Sequence, residues 1–156
     1  MNAEPDTLMA LARLVRKERV AHLATLRQGA PMASMTLYLP SADFGAFHVH
    51  VSRLAWHTQD MLQDPHVALS VAETDDGRAY PFTLMRVTIR GEAHDLKSNL
   101  SMKNAWLARF PEQAINFTLA DFSFWEIVPR DARFVAGFGR IHNLSAEQLR
   151  NAGGKA

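Results

Sequence analysis

The stretch FHVHVSRLAWHTQD, residues 47–60, passes from strand to helix with no Gly or Pro between the two. Phe47, Val49 and Val51 alternate with His48, His50 and Ser52, the period-two pattern of a strand with one apolar and one polar face. Beyond Ser52 the spacing turns helical. The Asp64–Pro65 pair ends that helix, because a residue preceding proline avoids helical backbone. Ser52 stands at the junction as a helix cap, its hydroxyl able to take a free amide of the first turn. The same amides, with the positive end of the helix dipole, form a ready anion site. Arg53 adds a two-pronged donor suited to phosphate. His57, four residues on, shares its helix face, and Thr58 offers a further hydroxyl. The junction is a candidate cradle for a phosphate monoester, weighed against the plainer reading that Ser52 only caps a helix.

Working outward, EPDTLMALARLVRKER reads as an amphipathic helix, with Asp6 or Thr7 as cap and Leu8, Leu11, Leu14 and Val15 as its stripe. Strands follow at 20–26, 32–40, 47–51, 66–72 and 82–96. The turn signals RQGAP and SADFGA link the first three into an antiparallel meander. SNLSMKNAWLARF is helical up to Pro111, two more strands lie at 121–129 and 132–138, and SAEQLRNAGGKA gives a short, fraying helix. The expectation is one mainly β domain over 1–156, with helix at 1–18 and helix and tail at 145–156. Six or seven antiparallel strands with peripheral helices suggest a barrel, since closure removes exposed edges. In MASMTLY, Ser34, Thr36 and Tyr38 share one face and Ala33, Met35 and Leu37 the other. The hydroxyl row is expected to face ligand, water or another subunit beside His48, His50 and Ser52.

Seventeen basic and sixteen acidic residues leave a formal charge of +1, with no clustered basic patch of the kind that binds nucleic acid. No run reaches the length of a membrane span, and no secretion signal is visible. With no cysteine there is no disulfide framework, thiolate metal site or thiol nucleophile. A cytoplasmic protein fits these features. His48 and His50 share a strand face, but a metal site needs more ligands than that strand supplies, so no metal is expected.

ATLRQGAPMASMTLY (24–38), HVSRLAWHTQDMLQDPHVALSV (50–71) and LMRVTIRGEAHDL (84–96) together resemble the FMN-binding split barrels of the pyridoxamine-phosphate-oxidase-like superfamily, in the branch linked to haem utilisation. The matching features are Ser34 and Tyr38 four apart on one strand, and S-x-L-A-x-H-T from Ser52 to Thr58. D-P-x-V-x-L follows from Asp64, R-x-T-x-x-G from Arg86, and VAGFGR stands at 135–140. The resemblance covers roughly residues 18–144, with the motifs in family order. It implies an antiparallel Greek-key split barrel and a homodimer with FMN at the subunit interface. It also implies phosphate contacts from Ser34, Ser52, Arg53, His57 and Thr58, with Met35 and Thr36 backbone facing the flavin ring. Tyr38 belongs to the strand motif, Arg86 is a candidate flavin or substrate contact, and Phe138, Gly139 and Arg140 would reach in from the partner. Leu54 stands where the oxidases proper carry Lys, and GRIHNL at 139–144 differs from their substrate motif, so vitamin B6 oxidation is not expected.

Phe122 and Phe124 on one face of their strand, with Trp125 and Ile127 on the other, predict burial on both sides, by the barrel and by a partner subunit. The leading expectation is an FMN-dependent oxidoreductase acting on a small molecule or with an electron partner, its acid and base unidentified. The rival is a non-catalytic flavin or haem carrier or sensor; a deazaflavin in the same barrel is a third reading.

Overall fold

The computed structural model describes residues 4–155; Met1–Ala3 and Ala156, the ends of the expected domain, lie outside the described residues. Helix α1 (Pro5–Lys17) starts with a proline where a missing amide does no harm, and it buries Leu8, Leu11, Leu14 and Val15 as the periodicity predicts. Glu4, rather than Asp6 or Thr7, occupies the cap position.

Strands β1 (Val20–Arg27) and β2 (Ala30–Leu37) form a hairpin. Its two turn residues, Gln28 and Gly29, both have positive φ, the geometry that matches strand twist. Only Tyr38 separates β2 from β3 (Leu39–Pro40), which pairs with β4 (Phe47–Ser52). With β5 (His66–Ala72), β6 (Arg86–Asp95) and β7 (Phe122–Val135), the antiparallel order is β2-β1-β5-β6-β7-β4-β3. The two ends of that path are consecutive in the chain, so the sheet closes into a barrel. The eighth strand, β8 (Ile141–Ser145), extends from β7. Helices α2 (Trp56–Gln63), α3 (Lys103–Arg109) and α4 (Ala146–Gly153) sit at the periphery. This is the mainly β split barrel with peripheral helices that the sequence predicts.

Several details differ. The meander stops after β2, because the long partner of β4 is β7, from Phe47↔Ile127 to Ser52↔Phe122. Residues 82–85 precede β6: Pro81–Thr83 form a 3-10 turn. The two strands expected at 121–129 and 132–138 are one, because a bulge at Arg90/Gly91 accommodates Pro129, which has no amide to donate. A Cβ on Gly91 would stand 2.3 Å from the Val128 carbonyl oxygen, so the close approach there requires glycine.

The face of β2 is reversed from expectation. Ser34 and Thr36 pair with Leu23 and Ala21, which are buried in the barrel, while Met35 on the opposite face is 65% exposed. The hydroxyl row therefore points inward. Part of the outer faces of β4 and β7 is covered by the chain's own segment 96–120. Trp106 and Phe110 form a second core with Phe124, with Phe117 packed against it. Phe124, Trp125 and Ile127 of that strand are buried within the chain.

Candidate functional site

An open cleft of about 480 Å³ lies where β2, the end of β4, the start of α2 and the 3-10 segment Pro111–Thr118 meet. It brings together Met35, Thr36, Ser52 and His57, four of the residues singled out in the sequence, and adds Arg19 and His50. Its apolar wall includes Val20, Leu37 and Val51.

The strand-to-helix junction is built differently from its prediction. Helix α2 begins at Trp56 with Ala55 as cap, so Ser52 is the last residue of β4 and not a helix cap. The Ser52 hydroxyl accepts from the Leu54 amide at 3.1 Å and donates to the Asp121 carboxylate at 2.5 Å. Arg53 is held the same way, its amide donating to the Asp121 carbonyl and its guanidinium to the Ala120 carbonyl. It faces a neighbouring cleft. Thr58 is fully buried and donates to the Ser52 carbonyl at 2.6 Å, tying α2 to β4. These contacts occupy the Ser52 and Thr58 hydroxyls and turn the exposed Arg53 guanidinium towards the neighbouring cleft.

Tyr38 is a structural residue. Its hydroxyl lies among the carbonyls of Val15 (2.7 Å) and Glu18 (2.8 Å), fixing the end of α1 to the sheet. The Arg109 guanidinium stacks 5.0 Å from its ring and donates to the carbonyls of Tyr38, Arg16 and Glu18. Burial pushes the phenol pKa up, against the opposing effect of Arg109.

Arg86 donates to the Phe82 and Leu84 carbonyls and holds the turn before β6. It pairs with Val135, whereas Ser52 pairs with Phe122. Those partners are 135 − 122 = 13 residues apart on β7, or about 40 Å along the strand at about 3.3 Å per residue. The loop carrying Phe138, Gly139 and Arg140 lies beyond Val135 at that far end. Within one chain, these four residues and the cleft do not meet.

His50 is the residue that pattern reading undervalued. It is only 8% exposed, stacks on Phe117 (4.3 Å between centroids, 13° between planes) and tilts against Phe124 at 4.5 Å. Its Nδ1 is buried without a hydrogen-bond partner. Burial pushes its pKa down to about 4, so the ring is neutral at ordinary pH. The pKa of His57 is also lowered, mainly by burial and against the pull of Asp60. The His57 imidazole makes no hydrogen bond among the described residues. Two neutral imidazoles with unused nitrogens thus border one apolar cleft. His48 differs: its Nε2 faces Glu126 at 3.5 Å, although burial outweighs that carboxylate and lowers its pKa. The period-two alternation put His50 on a polar face; it could not show that segment 96–120 folds back over it.

A family model described as CREG, beta-barrel matches residues 5–150. The chloroplastic heme oxygenase HOZ of Arabidopsis thaliana is 35% identical over 112 residues, covering 70% of this chain and 33% of that protein. The chain thus spans about a third of that relative's length. The heme oxygenase HutZ of Vibrio cholerae is 24% identical over 141 residues, covering 86% of this chain and 79% of HutZ. A heme binding protein from Mycobacterium smegmatis has the same fold, with a TM-score of 0.82 at 24% identity over 96% of this chain and 62% of that one. Among the described residues no helix is long and apolar enough to cross a membrane. With nearly every strand and helix of the barrel inside the matched span, the chain belongs to the CREG β-barrel family.

Proposed function

We propose that the chain is a haem-binding protein, with haem held against the cleft between β2 and α2. The carrying observation is the pair of imidazoles, His50 and His57, kept neutral by burial and making no hydrogen bond on the wall of an apolar cleft. A neutral imidazole has the lone pair that haem iron takes as an axial ligand. His57, the less enclosed of the two, is the assigned ligand. Val20, Met35 and Leu37 offer an apolar strip for one face of the macrocycle. Arg19, paired with Glu112 at the rim, is the cation nearest to hand for a propionate. Haem bound there supplies a redox-active iron. The names of the two curated relatives, both heme oxygenases, support the same cofactor.

The FMN reading fits the residues less well. A flavin phosphate at the junction would face the Asp121 carboxylate, which already holds the Ser52 hydroxyl. Binding would require that carboxylate to be displaced or protonated.

Haemin titration followed at the Soret band tests the proposal, with FMN titration by flavin fluorescence beside it. The expected result is one haem per chain with an imidazole-ligated spectrum. His57→Ala should alter that spectrum and weaken binding at least about tenfold, the scale on which losing a ligand contact is felt. Unchanged haem spectra and affinity in both His57→Ala and His50→Ala, or tight FMN binding without haem binding, would overturn it.

A further inference from the structure

A second cleft, of about 490 Å³, lies on the other side of the 3-10 segment Pro111–Thr118, between that segment and the connection following β6. It shares His50, Asn116 and Phe122 with the first cleft and nothing else. Its character is different. Arg53, Lys97 and Lys103 line it, and Asp95 is the one carboxylate among its described lining residues. Asp95 is engaged locally, accepting the Lys97 amide at 2.7 Å. The opening thus carries a surplus of positive charge.

Its wall is aromatic. Phe117 is stacked on His50, Phe122 tilts against the same imidazole at 5.4 Å, and the Lys103 ammonium sits 5.0 Å over the Phe117 ring. Leu100 and Leu119, both substantially exposed, continue the apolar surface. Two of its lining residues hold buried polar atoms with no partner among the described residues: the Nδ1 of His50 and the hydroxyl of Ser123, the latter residue 6% exposed. Buried polar groups are almost always hydrogen-bonded, so two orphans in the wall of one cleft set it apart from an ordinary packed surface.

We propose that this cleft is a second binding site, for a small planar aromatic carboxylate. The ring packs against Phe122 and the edge of Phe117, whose faces His50 and Lys103 already cover, and the carboxylate meets Lys97, Lys103 and Arg53 at the opening. Its volume lies within the range of ordinary small-molecule pockets. A neutral aromatic would leave the cations unmatched, and an aliphatic anion would forgo the ring packing. The observations that carry this site are separate from those that carry haem binding, although the two clefts share the wall formed by His50, Asn116 and Phe122.

The test uses the full chain without haem. Binding of 1-naphthoate and of its neutral counterpart 1-naphthalenemethanol is measured by calorimetry. The acid should bind at least about tenfold more tightly than the alcohol, a margin that narrows at high salt as the cations are screened. Lys97→Gln with Lys103→Gln, which keep most of the length of both side chains and remove their charge, should abolish that preference, with circular dichroism unchanged. No binding of 1-naphthoate, equal affinity for acid and alcohol, or a double lysine variant that binds like the parent would overturn the proposal. So would loss of binding in His57→Ala but not in the lysine variant, which would place the molecule in the first cleft.

Discussion

At the scale of the residue, His50 couples the chain's stability to pH. In an unfolded chain its imidazole titrates near 6.5; in the folded chain burial holds it down to about 4. The unfolded state therefore binds the proton more readily. Stability is complete above pH 6.5 and falls as the pH drops towards 4, with this one ring accounting for on the order of 2–3 kcal/mol. His48 and His57 shift in the same direction and steepen the fall. Urea unfolding of the parent and of His50→Phe at neutral and mildly acidic pH measures the share of His50: the variant should lose less stability on acidification. An identical pH dependence would mean the ring is already hydrated in the native state. Tyr38→Phe is the companion measurement. It removes the hydroxyl that ties the end of α1 to the sheet and should lower stability by about 1–2 kcal/mol. Because that hydroxyl faces α1 and not the cleft, haem affinity should stay as it is.

At the scale of the element, α4 is more than a tail. Its Ser145 hydroxyl caps the Gln148 amide while the Gln148 side chain caps Ser145 in return, so the helix starts firmly. Leu149, Ala152 and Gly153 are buried, and the Arg16 guanidinium from α1 donates to the carbonyls of Gly153 and Lys155. Gly153 lies so close to the Asp43–Phe44 backbone that a Cβ would stand 2.4 Å from the Asp43 carbonyl carbon. Gly153→Ala must push the helix off that loop and should cost more than about 2 kcal/mol, read as a lower denaturant midpoint. The sequence pattern offered only a fraying helix here, because an eight-residue segment carries little periodicity and its stability comes from Arg16 and the loop at residues 41–45. The same reason explains what else was legible. The stripe of α1, the β1–β2 turn at Gln28–Gly29 and the stop at Asp64–Pro65 are local and were readable. The fold-back of 96–120 over His50, the pairing of β4 with β7 and the inward turn of Ser34 and Thr36 depend on partners far along the chain. Alternation tells which residues share a face; it does not tell which face is inside.

At the scale of the molecule, the remaining question is what covers the cleft. Met35 and Trp56 stand more than half exposed beside it, and Leu54 is 76% exposed in the same turn. An apolar rim of this kind is a habitual mark of an interface. At the far end of β7, Phe138 is 83% exposed on a loop held by the Ala136 amide donating to the Arg140 carbonyl at 2.8 Å. One chain cannot bring that loop to its own cleft across about 40 Å of strand. A second copy in a closed two-fold arrangement can, and each loop then serves the other's cleft. The homodimer implied by the sequence motifs thus becomes a proposal with a definite contact, the Phe138 loop against the Met35–Trp56 rim. Light scattering coupled to size exclusion should give twice the chain mass for the parent. Phe138→Asp should give a single chain mass with unchanged circular dichroism, because Phe138 makes no part of either core, and its haem affinity should fall as the cleft loses its cover. A parent that runs as a single chain at micromolar concentration, or a Phe138→Asp variant that stays paired and binds haem as before, would detach the loop from the site and leave Met35, His50 and His57 to bind their ligand unaided.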